Sequence, residues 1–140
     1  MKFIALFLLT FCTLFQAGCQ SQNHPEAENA AIKAANSWLV LVDSSKFEES
    51  WEKSATFFQG AVSKDNWVKS MQSVRVPLGN LISREVKSKE YHTTLPGAPD
   101  GEYVVIQFNT SFENKKSAIE TVIPMLDKDN KWRVSGYYIK

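Results

Sequence analysis

The sequence predicts an α+β domain in which N-terminal helices pack on a curved antiparallel sheet of about four strands. Three observations carry this. Apolar residues between positions 31 and 74 recur at helical spacing; from position 81 onward apolar and polar residues alternate; and clusters rich in Asn, Asp, Pro or Gly separate the alternating runs.

The elements follow in chain order. Ala31, Ala34, Ala35, Trp38, Leu41 and Val42 keep the i, i+3, i+4, i+7 spacing of a helix with one buried stripe. Asp43-Ser44-Ser45 interrupts it, and Ser45 with Glu48 has the S-x-x-E spacing of a capping box. A second helix then buries Phe47, Trp51, Ala55 and Phe58. Gly60 loosens the chain, Ser63 caps a third helix whose stripe is Trp67, Met71 and Val74, and Pro77 ends it. An extended segment from Leu81 to Leu95 precedes the loop Pro96-Gly97-Ala98-Pro99-Asp100-Gly101, where Gly101 permits φ > 0 before the next strand. That strand has Val104, Ile106, Phe108, Thr110 and Phe112 on one face, and Tyr103, Val105, Gln107 and Asn109 on the other. Asn114-Lys115-Lys116 turns the chain into Ile119, Thr121, Ile123 and Met125; Asp127-Lys128-Asp129-Asn130 turns it into Trp132, Val134, Gly136 and Tyr138. Helices first and a meander second fit the cystatin-like, nuclear-transport-factor-like cone, with a flat helix-on-sheet layer as the alternative.

The first 18 residues read as a signal peptide. Lys2 precedes the apolar run Phe3-Ile4-Ala5-Leu6-Phe7-Leu8-Leu9, which is too short and interrupted for a span of about 20 apolar residues. Ala17-Gly18-Cys19 resembles the end of a bacterial lipobox, although Gln16 stands where a Leu-like residue is usual. This makes Cys19 the lipidation site, residues 19–25 a polar tether and 26–140 one domain; ordinary cleavage to a soluble product is the alternative. Cys12 leaves with the signal, so the lipidated chain keeps no free thiol and forms no disulfide. The expected location is exported and membrane-anchored, facing the periplasm; Gln20 after the Cys, rather than Asp, favours the outer membrane if the source has two.

With 16 Lys and Arg against 15 Asp and Glu, the chain has no basic field for a phosphate backbone, and nucleic acid is excluded as a partner. With Cys12 inside the signal segment and Cys19 at its end, zinc fingers and His-built metal sites lack the ligands. Asp127, Asp129 and Asn130 begin like a calcium loop, but Lys131 and Tyr138 fall where oxygen ligands are needed, so a hairpin turn explains them. Asn109-Thr110-Ser111 has the form of a glycosylation sequon but lies within a predicted strand. No nucleophile motif or phosphate-binding Gly loop occurs, and no cofactor is expected. Acid/base chemistry could come only from groups the fold brings together, such as Asp43, Arg84, Glu102, Glu120 and Arg133, or from His92, the one imidazole in the C-terminal half, which also reads as an exposed strand residue. The aromatic residues stand out more. Trp38, Trp51, Trp67, Trp132 and Tyr138, with His92, are the candidate pocket; core packing is the first reading of the tryptophans, and an aromatic-lined cavity would use the same residues.

Ser37-Trp38-Leu39, Ser50-Trp51, Arg75-Val76-Pro77-Leu78-Gly79, Leu95-Pro96-Gly97-Ala98-Pro99-Asp100-Gly101-Glu102-Tyr103 and Trp132-Arg133-Val134-Ser135-Gly136-Tyr137-Tyr138 together resemble the bacterial family catalogued as domain of unknown function 4019, over about residues 30 to 140. The resemblance implies an exported or lipoprotein-like protein and supplies no catalytic residue. The function expected is an envelope lipoprotein whose non-catalytic domain binds a small apolar ligand or an envelope protein. A cone-fold enzyme with a central acid/base cavity and a structural or assembly protein are the alternatives.

Overall fold

The computed structural model describes residues 23–140; the signal segment, Cys19 and most of the tether lie outside them. Four helices, α1 (Pro25–Asp43), α2 (Phe47–Glu52), α3 (Thr56–Ala61) and α4 (Lys64–Val74), precede a short 3-10 turn at Val76–Leu78. Four strands follow, β1 (Leu81–His92), β2 (Tyr103–Phe112), β3 (Lys115–Leu126) and β4 (Trp132–Ile139). They pair in chain order as an antiparallel meander, leaving β1 and β4 as the edges of an open sheet. The architecture is α+β.

Helix α1 crosses all four strands and buries Ala31, Ala35, Trp38, Leu39 and Val42 against them. The core therefore takes Leu39, while Ala34 and Leu41, expected on the stripe, are only partly buried. Ser45 does not open α2 as a capping box would. Its φ is +58°, its N–H donates to the Val42 carbonyl and the N–H of Lys46 donates to that of Leu41, which is a Schellman closure of α1. The single second helix expected is two short ones. Ser54 and Ala55 break it: the Ser54 hydroxyl donates to the Ser50 carbonyl, and the Ala55 N–H donates to the Val134 carbonyl of β4 at 2.8 Å. The N-terminus of α3 is capped from across the molecule, since Asp127 Oδ2 accepts from the Thr56 N–H at 3.0 Å and the Thr56 hydroxyl at 3.1 Å. On α4, Trp67 and Met71 are buried, but the next inward position is Arg75, 4% exposed, and Val74 is 48% exposed. Counting eight residues on from Trp67 returns to the same helix face at Arg75.

The inward face of β2 is the one the alternation predicts, with Val104, Ile106, Phe108, Thr110 and Phe112 all buried. Tyr103, expected on the outer face, is buried too. Leu95 and Ala98 fold over it and, with Ala55 and Met125, form a second small core. In that loop the left-handed conformation falls on Gly97, φ +77°, and not on Gly101, whose N–H instead ties the loop shut on the Thr93 carbonyl. Asn130 takes φ +61° in the β3–β4 turn, a conformation Asn tolerates. Gly79 sits at φ +76° before β1, and its carbonyl accepts from Arg75 Nη1.

Candidate functional site

Two features are built from the ends of several elements at once. The first is a buried ionic cluster. Asp43 ends α1, Arg75 follows α4, and Arg84, Thr110, Glu120 and Tyr137 come from β1, β2, β3 and β4. Arg84 grips Glu120 through Nε (2.6 Å) and Nη2 (3.1 Å), and Asp43 through Nη1 (2.7 Å) and Nη2 (3.0 Å). Arg75 Nη2 donates to Asp43 at 3.0 Å while its guanidinium lies 4.4 Å from the Phe112 ring centre. Glu120, with no exposed surface, also accepts from the hydroxyls of Thr110 and Tyr137. Burial opposes the Arg84 charge, but hydrogen bonds to Asp43 and Glu120 outweigh it and hold the guanidinium more firmly protonated than usual. Burial first, then the Glu120 carboxylate, push the Tyr137 phenol far above its ordinary range. Two cations and two carboxylates close on one another, and both carboxylate oxygens of Glu120 are used. Such a cluster fixes how helices meet sheet; it offers no free base.

The second feature is a cleft of about 340 Å³ between α1 and the start of β4. Ala34, Ser37, Trp38 and Leu41 line it from α1, Trp132, Arg133 and Val134 from β4, and Lys53 and Lys131 from the segments just after α2 and just before β4. Its geometry comes from the break between α2 and α3. The Trp38 indole N–H donates inward to the Ser50 carbonyl (2.8 Å) and the Ser54 hydroxyl (3.1 Å), so the cleft receives only apolar ring from Trp38. Ala55 is pinned to Val134, which sets Lys53 beside β4. Ala34 and Leu41, the two stripe residues the core does not take, are spent here.

The tryptophans differ in one respect. Trp38, Trp51 and Trp67 all donate their indole N–H internally, the last two to the Val62 carbonyl at 2.8 Å and the Ser50 hydroxyl at 2.9 Å. Trp132 is half-buried, and among the described residues its N–H has no acceptor. Its Nε1 is not among the buried atoms left without a partner, so this indole N–H is open to solvent or to a ligand. Arg133 is engaged elsewhere, with Asp129 at 2.6 and 2.7 Å and Asp127 at 3.4 Å. Arg133 in turn holds the Asp129 carboxyl down at about 2, and the Thr56 N–H lowers that of Asp127.

The residues singled out in the sequence do not converge on one site. Trp38 and Trp132 share the α1–β4 cleft. Trp67 is core, packed against Trp38, Phe58 and Tyr137 with ring centres 5.8, 5.1 and 6.4 Å apart. Trp51 is half-buried beside it, with Lys64 over its ring at 5.3 Å. Tyr138, 60% exposed, lines a different groove of about 450 Å³ between α3 and the 95–98 loop, with Phe57, Leu95, Ile123 and Gly136. His92 ends β1 with Nε2 3.5 Å from a Glu90 oxygen. Of the possible acid/base groups, Asp43, Arg84 and Glu120 do meet, in the ionic cluster; Glu102 accepts from the Tyr91 hydroxyl at 2.8 Å, and Arg133 belongs to the β3–β4 turn. Arg75, Thr110 and Tyr137 complete the cluster unpredicted, as do Lys53 and Lys131 at the cleft. The surplus width of the α1 apolar stripe was the available signal for the cleft. Among the described residues no group of three or more His, Cys, Asp or Glu could hold a metal, and no helix is long and apolar enough to cross a membrane.

The family model described as "Protein of unknown function (DUF4019)" matches residues 34–137, a span that includes every residue named at the cleft. No curated protein and no solved structure matches the chain.

Proposed function

The chain belongs to the DUF4019 family, and from that premise we propose that it is a non-catalytic binding domain, exported and anchored through Cys19, that holds a small molecule with an apolar body in the Trp38–Trp132 cleft. The observation that carries this reading is the Trp132 indole: half-buried, part of the cleft lining, and without the internal acceptor that the other three tryptophans have. A volume of about 340 Å³ falls within the range of small-ligand sites. Walls of aliphatic and aromatic side chains with one unpaired donor are the usual make-up of a site that binds by apolar burial and orients by a single hydrogen bond. The enzyme alternative gains nothing from the ionic cluster, whose carboxylates are engaged by Arg75 and Arg84 and whose charged groups line neither the cleft nor the groove beside α3.

Native mass spectrometry of the full chain isolated from its source tests the binding claim. A reproducible added mass is expected on the wild type and not on Ala34→Phe, which fills the cleft from an already half-exposed helix position. No added mass, or the same mass on both, refutes it. The anchor is tested separately by membrane fractionation: the wild type should sediment with membranes and Cys19→Ala should not.

A further inference from the structure

We infer that the ligand of the Trp38–Trp132 cleft is a free amphiphile carrying one anionic head, a carboxylate on an apolar body, with Lys53, Lys131 and the Trp132 indole N–H holding the head. This rests on the binding reading above and adds the chemical class. Lys53 and Lys131 line a cleft whose other residues are mostly apolar. Neither has a carboxylate within 4.0 Å among the described residues. The carboxylates nearest them in sequence are committed: Glu52 to Lys64 at 2.6 Å, Asp129 to Arg133 at 2.6 Å.

The other polar side chains of the lining are committed, the Ser37 hydroxyl donating to the Lys33 carbonyl at 3.1 Å and Arg133 to Asp129, which leaves two ammonium groups and one indole N–H, all donors, beside a wall otherwise of carbon. Lys carries three donors and no acceptor, and indole one donor and no acceptor. A ligand head that accepts and does not donate satisfies all of them, which describes an ionised carboxylate and not an alcohol or amine. Charge-assisted bonds of this kind are the stronger ones. Trp38, whose own N–H is turned inward to Ser50 and Ser54, supplies apolar ring only, so the body of the ligand lies on the α1 side and its head toward β4. The cleft is bounded by α1 and β4 and takes a single small molecule, and that favours a free amphiphile over the head of a lipid still seated in a bilayer.

The test titrates the full chain, labelled with 15N at tryptophan, with decanoate and with 1-decanol, which share an apolar body and differ in the head. Decanoate should shift the Trp132 indole resonance and bind about tenfold more tightly than decanol at low salt. Lys53→Gln with Lys131→Gln, both at exposed positions, should bring decanoate down to the level of decanol while the melting temperature stays put. Equal affinity for the two probes, with Trp132 still shifting, overturns the anionic class and leaves the binding reading standing. Failure of both probes to move Trp132 or the other cleft residues overturns both. Adsorption to phosphatidylglycerol vesicles that depends on the two lysines, with no response to decanoate, overturns the free-amphiphile assignment in favour of a bilayer.

Discussion

Removing the charge of Glu120 should cost more stability than any other isosteric change in the domain. Glu120 has no exposed surface, and its carboxylate accepts four hydrogen bonds: two from Arg84 and one each from Thr110 and Tyr137. Glu120→Gln keeps the shape. It leaves Arg84 with Asp43 alone, replaces an anionic acceptor with a neutral carbonyl, and turns an N–H₂ toward donors. Breaking one partner of a buried ion pair typically costs about 3–5 kcal/mol, because the remaining charge is stranded. Asp43 retains part of the Arg84 charge, so the lower end applies, about 3 kcal/mol, or a fall in melting temperature of roughly 10–15 °C for a domain of this size. Urea titration followed by circular dichroism at pH 7 measures it, with an unchanged m-value showing that the native and unfolded states are otherwise alike. Adding Arg84→Met should recover part of the loss, giving a coupling energy of at least about 1 kcal/mol in the double-mutant cycle. A Glu120→Gln variant within about 1 kcal/mol of wild type would mean that the cluster is not closed as described.

Three further outcomes follow from other parts of the structure. Asp127→Ala removes the cap of α3 and should destabilise by about 1–2 kcal/mol in the same urea assay; an effect confined to the β3–β4 turn, with α3 amides equally protected from hydrogen exchange, would contradict the cross-molecule cap. Since the carboxyls of Asp127 and Asp129 are depressed in the folded state, their stabilisation is complete above the unfolded Asp value of about 4 and is lost as pH falls toward the folded values, Asp129 lying at about 2. Asp129→Asn should therefore flatten the pH dependence of stability between about pH 4 and 2, whereas a parallel wild-type and variant profile would refute the linkage. Gly79→Ala places a Cβ 2.7 Å from a Glu113 oxygen at φ +76° and should destabilise by about 1–3 kcal/mol; a neutral result in thermal melts would show that the turn before β1 gives way freely.

The architecture was readable because its signals are local. Alternation in β2 and the turn chemistry of Asp127–Asn130 specify a meander without reference to anything distant, and the Trp67–Met71 spacing specifies α4. Ser45 misled because the same residue suits a helix start and a left-handed helix end, and what decided between them was the pair of carbonyls at Leu41 and Val42 needing donors. The break in the second helix was hidden for a different reason: it is stabilised by Val134, about eighty residues away, and by Asp127. The ionic cluster was half visible. Asp43, Arg84 and Glu120 could be suspected as inward polar groups, but nothing near them in sequence shows that one comes from a helix end and two from different strands. Tyr137 and Thr110 are recognisable as members only once the strand register is known. The cleft left one trace, an apolar stripe on α1 wider than a single packed face requires. Which tryptophan would be left without an acceptor depended on where Ser50, Ser54 and Val62 finally lie.

The central claim, that Trp132 opens onto a ligand cleft, is tested most directly by the indole N–H signals of the four tryptophans in the full chain, recorded before and after adding an organic extract of the cells that make it. Trp132 should exchange its N–H with solvent fastest and shift the most strongly when the extract is added, while Trp51 and Trp67, bonded to Val62 and Ser50, stay in place. A protected Trp132 that does not respond, or a response at Trp51 and Trp67 instead, would contradict it.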